Sequence, residues 1–259
     1  MITDLLRNRP PMGMQTGARL TIKGDRQSVR SLSGVEGVKH LYVEGIKQPE
    51  LDYLIAHFGP AFETLCFNNM KVADLSALDR LNKVQCLVMA GNTKATQLWD
   101  MTYNHGLREL SIIDFPQVSS LGELRFATPL ECLQLGGKKT RLMRVQTLTP
   151  LINLLRLKKL SLSNIKVKED GLLPLVSMPD LEELELPNTF PTREYAILSV
   201  RLKNTRCDHF APYIKLPGDS DGNDIVVVGK RIPRLNSNIH AKRLQIYAKE
   251  FERLRREYM

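Results

Sequence analysis

Apolar and polar residues alternate along this chain in short bursts that keep one frame. The stretch LKKLSLSN (157–164) sets leucines at its first, fourth and sixth positions and leaves Lys159, Ser161 and Ser163 facing the other way. The frame returns as VKHLYV (38–43), FETLCF (62–67), VQCLVM (84–89), LRELSI (107–112), LECLQL (130–135) and LEELEL (181–186). Such alternation predicts a half-buried strand wherever it occurs. Bursts that start at residues 38, 62, 84, 107, 130, 157 and 181, always 22 to 27 residues apart, predict one structural unit repeated. A weaker copy, ARLTIKG (18–24), lies one period upstream with Leu20 and Ile22 in the inward places.

An L-x-x-L-x-L core at a period of about 20–29 residues resembles the leucine-rich repeat family, and the resemblance runs over residues 18–205. It implies an α/β fold: a curved solenoid of about eight repeats with a parallel sheet on the concave side. Connections such as VADLSALDRL (72–81) are similar to those of bacterial, short-repeat, internalin-like proteins. Longer ones such as GLLPLVSMPD (171–180) are expected to carry a helical turn or short helix on the outer face. The family's asparagine after the last leucine is Gly45, Asn69, Gly91, Asp114, Gly137, Asn164 and Asn188 here. All are types that turn the backbone cheaply or bond their own main chain, so the turn is kept while a continuous asparagine ladder is not expected.

The pattern has to repeat for an energetic reason. Three inward apolar side chains contribute roughly 1.5–3 kcal/mol each on burial, and ordering some two dozen residues costs several times that sum. Stacked repeats cover one another, and only the ends need caps. Residues 1–17, with a Pro-Pro pair, are expected to form a partial N-terminal cap, and they lack the apolar core of an export signal. Residues 206–259 are expected to form the other cap: a strand, a Gly/Asp-rich turn, a strand at Ile225–Val228 and a helix capped by Asn236 or Ser237. Ile239, Leu244, Tyr247, Phe251 and Leu254 recur at helical spacing and predict the face laid on the last repeat.

Nothing approaches the roughly 18 apolar residues of a membrane span. Cys66, Cys86, Cys132 and Cys207 show no C-x-x-C spacing, and Cys86 and Cys132, two strands apart in one column, would lie about 10 Å from each other. Four free thiols and a cytoplasmic setting are therefore expected. The net charge is +9, and residues 201–259 hold 13 of the 37 Lys and Arg against 7 of the 28 Asp and Glu. Lys230, Arg231, Arg234, Lys242, Arg243, Lys249, Arg253, Arg255 and Arg256 lie in the cap, while Lys138, Lys139, Arg141 and Arg144 form a basic rim in the longest connection. Such clusters suit a nucleic acid or another anionic surface, though no nucleic-acid module or interleaved aromatics accompany them.

Enzymatic signatures fail. In GGKKT (136–140), Cys132 stands where a phosphate-binding loop needs its first glycine, and Lys139 where it needs Ser or Thr. The five histidines are scattered, no G-x-S-x-G elbow occurs, and no metal or cofactor is expected. Trp99 is read as a packing residue of the outer face, and Cys66 and Cys86 as small surface residues.

The remaining candidate is the face from which the leucines turn away. One column should run His40, Thr64, Cys86, Glu109, Cys132, Lys159, Glu183; a second Tyr42, Cys66, Val88, Ser111, Gln134, Ser161, Glu185; a third Glu44, Asn68, Ala90, Ile113, Gly136, Ser163, Pro187. Eight strands would span about 34 Å, adequate for a protein interface of roughly 800 Å² per side. No side chain repeats along a column, which argues against a polymer read one unit per repeat. The expectation is a monomeric scaffold that binds one folded protein on this face, with the basic rim as the alternative site. Tyr42, the only aromatic in the columns, is the expected energetic centre. Glu183 should be partly neutralised by Lys159, and Glu185 freer.

Overall fold

The computed structural model describes residues 12, 13, 15–217, 222–232 and 234–259. The expected N-terminal cap therefore lies mostly outside the described residues, as does the centre of the expected Gly/Asp-rich turn.

The repeated frame forms one open sheet. Its strands are β1 (Gln15–Thr16), β2 (Arg19–Lys23), β3 (His40–Glu44), β4 (Thr64–Met70), β5 (Cys86–Asn92), β6 (Glu109–Ile113), β7 (Cys132–Gly136), β9 (Lys159–Ser163) and β11 (Glu183–Glu185). Each strand from β2 to β11 pairs in parallel with the next of the sheet, and the register keeps the leucines in line. Leu20, Leu41, Leu65, Leu87, Leu110, Leu133, Leu160 and Leu184 are successive partners. Between the strands, β8 (Met143–Val145) and β10 (Ile165–Val167) make a separate parallel pair. The first edge is closed by β1, which runs antiparallel to β2 and opposes Gln15 to Leu20.

Behind the sheet the chain returns through α1 (Arg26–Arg30), α2 (Gln48–Phe58) and single 3-10 turns at Ser76–Arg80, Gly122–Phe126, Thr149–Asn153 and Leu173–Ser177. Each of those four turns buries one leucine, Leu78, Leu124, Leu151 or Leu175, at matching places. A connection of this length has room for little more than one tight turn, as expected for short repeats. The segment around Trp99 lacks even that turn. The indole Nε1 there donates to Asn104 Oδ1 (2.7 Å), and Asn104 Nδ2 donates to the carbonyls of Leu78 (2.9 Å) and Leu81 (3.2 Å). Trp99 is thus a packing residue, with a buried asparagine replacing the missing backbone bonds.

Five of the seven turn positions, Gly45, Asn69, Gly91, Asp114 and Asn164, are left-handed, with φ between 44° and 79°. Gly137 and Asn188 depart from this set. A Cβ on Gly137 would sit 2.1 Å from the Arg141 carbonyl oxygen, so close approach, rather than handedness, demands glycine there. Asn188 instead anchors the C-terminal cap: its Nδ2 donates to Val227 O (2.9 Å) and its Oδ1 accepts from Gly229 N (2.6 Å).

Past α3 (Thr192–Arg201), a hairpin of β12 (Tyr213–Lys215) and β13 (Ile225–Val227) leads to α4 (Ala241–Arg256). This helix packs on α3, the outer element of the last repeat, with Leu244, Phe251 and Leu254 buried and Tyr247 half-buried. Ile239 departs from expectation: it is 77 % exposed because the helix begins only at Ala241. Asn236 Oδ1 does accept from Asn238 N (2.9 Å) and Ile239 N (3.1 Å), but it closes the turn that precedes the helix.

Candidate functional site: the concave face

The three expected columns form with the expected register, strand by strand. Strand β2 adds Arg19, Thr21 and Lys23 at the first edge, and Arg206 bridges to Glu183 at the last. The sequence analysis missed these four as site residues. The weak copy ARLTIKG held the signal for the first three; Arg206 lies outside any leucine frame.

Side chains on this face are largely bonded to one another along the solenoid. His40 Nδ1 lies 3.0 Å from Thr64 Oγ1, Ser111 Oγ donates to Gln134 Oε1 (3.1 Å), and Ser161 Oγ donates to Glu185 Oε2 (2.8 Å). Asn68 Nδ2 donates to Glu44 Oε2 (2.8 Å). Glu183 Oε1 accepts from both Lys159 Nζ (3.2 Å) and Arg206 (2.5 Å). Its carboxyl is held below the usual carboxylate range, first by Lys159 and also by Arg206. Burial lowers the His40 imidazole below its ordinary value, so the ring is neutral at pH 7.

Exposure corrects part of the expectation. Tyr42 is only 2 % exposed, and Cys66, Cys86, Val88, Thr64 and Ser111 are buried as well. Tyr42, Cys66, Cys86 and Val88, with half-buried Cys132 against them, form an apolar cluster of their own, separate from the main core. Tyr42 therefore cannot serve as an open anchor, and its hydroxyl has no hydrogen-bond partner among the described residues. Cys66 and Cys86 are not surface residues either. Burial pushes the Cys66 thiol up to about 12 and raises Cys86 further, the opposite of what an activated nucleophile needs. Gln134, Lys159, Ser161, Ser163 and Glu183 are half-buried and Glu185 is exposed. Alternation assigned each residue to the right face and was silent on what covers it.

The basic rim is also changed by its setting. Asp114 is 2 % exposed and its carboxylate meets Lys138 Nζ (3.2 Å) and Arg141 Nε (3.3 Å). Two of the four rim cations thus offset a buried charge within the protein. Lys139 and Arg144 are exposed. On the cap, Lys230 pairs with Glu250 (3.1 Å) and Arg255 with Glu252 (2.9 Å), while Lys242, Arg243, Lys249 and Arg256 are exposed. Among the described residues, no group of three or more His, Cys, Asp or Glu is placed to hold a metal ion, and no helix is long and apolar enough to cross a membrane.

No protein-family model matches the chain, and no curated protein matches it in sequence. Solved structures do. Internalin C2 (InlC2) of Listeria monocytogenes superposes with a TM-score of 0.51 at 17 % identity, over 70 % of this chain and 80 % of that one. An internalin (InlF) of the same organism gives a TM-score of 0.49 at 22 % identity, over 70 % of this chain. The match spans about half, 48 %, of the InlF chain. With the parallel sheet, the aligned leucine ladder and the single-turn connections, these likenesses identify the fold: the chain is a leucine-rich repeat solenoid of the short-repeat, internalin-like type.

Proposed function

We propose that the chain is a protein-binding scaffold whose concave face receives one folded partner. The single observation behind this reading is the second column: its accessible members, Gln134, Ser161 and Glu185, differ at every strand along a regular sheet. A surface that changes at each step suits an irregular, folded partner better than a repeating polymer. The open end, with Lys159, Ser161, Glu183, Glu185 and Arg206, is where contact would start. A reducing, cytoplasmic setting, in which the four thiols stay free, and a monomeric scaffold belong to the same reading.

The test is affinity capture from native cells with the intact chain as bait, beside a bait carrying Ser161→Arg and Glu185→Lys. A partner held by the native bait through about 0.5 M salt and lost from the substituted bait supports the proposal. Captured material that is nucleic acid, released steeply as salt rises, would move the function to Lys139, Arg144 and the exposed cations of α4.

A further inference from the structure

The burial of the concave face is uneven, and neighbouring side chains do not account for it. Down the second column, Thr21, Tyr42, Cys66, Val88 and Ser111 are all buried, from β2 through β6. Gln134 and Ser161 then become half-buried and Glu185 exposed. Val88 is 0 % exposed although its partners in register are Cys66 and Ser111, and Cys86 and Ala90 flank it on its own strand. Ser161 stands between the larger Gln134 and Glu185 and is more open. Small neighbours cannot shield a valine better than large neighbours shield a serine. Tyr42 presents the same difficulty: Arg19 and Lys23, the long side chains nearest it on β2, are themselves exposed.

Something must therefore lie over the β2–β6 half. Two stretches of more than one residue are outside the described residues, 1–11 and 218–221. The second belongs to the loop between β12 and β13 at the opposite end, where β13 is tied to Asn188. From there, β6 lies three strand steps away and β3 six, about 14 and 29 Å, too far for four residues whose ends both stay in that hairpin. The first adjoins Met12, which lies beside Lys23, Gly24, Glu44 and Gly45, while Gly13 N donates to Thr21 O (2.7 Å). The chain thus enters the sheet at its covered end.

We infer that residues 1–11, MITDLLRNRPP, are the cover: an intramolecular occupant of the β2–β6 half of the concave face. Extended, eleven residues reach about 36 Å, and four strand steps from β2 to β6 need about 19 Å. The segment carries Met1, Ile2, Leu5 and Leu6 to set on the apolar floor of Tyr42, Cys66, Cys86 and Val88. Pro10 and Pro11 hold the stretch before Met12 extended. A partner that needs this half must displace the segment, so the open half is the accessible surface in the resting protein.

Native-state thiol labelling tests the cover with no partner involved, so its outcome is separate from that of the protein-binding proposal. In the full-length chain, Cys132→Ser and Cys207→Ser leave Cys66 and Cys86 as the only thiols. Adding Leu5→Asp and Leu6→Asp should speed their reaction with a small maleimide at least tenfold at an unchanged melting curve. Equal rates with and without the aspartates overturn the inference. If the aspartates abolish folding, single Leu5→Cys and Leu6→Cys chains in the same background give a second measurement. With oxidised glutathione as oxidant, at least one should yield an intramolecular disulfide to Cys66 or Cys86. No such link from either position, or a link that joins two copies, overturns it.

Discussion

Val88 and Ser161 occupy the same column of the same sheet, three strands apart, and the alternation around them is identical. One is fully buried and the other half-open. The two halves of the concave face are built by one rule and differ in chemistry. The β2–β6 half presents Tyr42, Cys66, Cys86 and Val88 as a second, smaller core. The β7–β11 half presents ladders of hydroxyl, carboxylate and cation that satisfy one another at the surface. A repeat fold constrains only the inward leucines, so the outward positions are free to diverge.

The largest expected effect breaks this comparison directly. Val88→Asp puts a carboxylate into a site with no accessible surface and should cost about 3 kcal/mol or more, by desolvation and lost packing. Ser161→Asp, in the equivalent place, should stay within about 0.5 kcal/mol. Urea unfolding of both decides it, and equal costs would mean the halves do not differ as described.

The second effect lies at the border. Asp114, in the turn after β6, is held by Lys138 and Arg141 from the connection after β7, so the two halves are joined across this point. Asp114→Ala removes charge-assisted bonds from a buried carboxylate, worth about 2 kcal/mol in stability. It also releases two cations, so retention on a heparin column should rise together with the lower urea midpoint. A lower midpoint with unchanged retention would show that the freed side chains find other partners.

These contrasts mark what the residues themselves disclosed. The register of every concave column was legible because seven copies of one frame allow a single alignment, and a slip of one residue would turn all the leucines outward. The turns were legible as a residue class, and five of them adopt the left-handed backbone that explains the class. The capping helix was legible from Leu244, Phe251 and Leu254, but its first turn was not: Ile239 fits the spacing and lies outside the helix. Burial of Tyr42 was illegible for another reason. Alternation states which face a side chain occupies, and what lies over that face is a long-range property. Arg206 escaped for a similar reason, since it reaches Glu183 from a segment without the repeat.

Alkaline pH provides a third, smaller contrast. Burial raises Cys66 from 9.0 in its unperturbed state to about 12. In the unfolded chain the thiol ionises near the unperturbed value, while the folded protein keeps its proton. The contribution is therefore intact below pH 9 and is lost as the pH climbs toward 12. At pH 10 the loss is about 1.4 kcal/mol, one unit of difference. Comparing wild type with Cys66→Ala isolates this group from the other titrations: the gap between them should shift by that amount between pH 8 and pH 10. The same comparison with Cys132→Ala, at the edge of the open half and only half-buried, should shift less.

The smallest effect belongs to the open end. Glu183 accepts from Lys159 and Arg206 at the surface, and its carboxyl is depressed by both. A depressed carboxyl stabilises the fold above the unfolded value near 4.5 and loses that contribution as pH falls through its folded value. Wild type and Glu183→Gln should therefore melt together at pH 3 and separate only slightly at pH 7, the wild type higher. Exposed ion pairs are screened, so the separation should shrink further as salt is added. Should Glu183→Gln lower the pH 7 melting temperature as much as Asp114→Ala does, the ladder at the open end would be a structural element like the buried carboxylate, and the division of the face into a packed half and an accessible half would fail there. A separation confined to low salt and neutral pH would instead leave Lys159, Glu183 and Arg206 as a solvated network, free to exchange one partner for another at little cost to the solenoid.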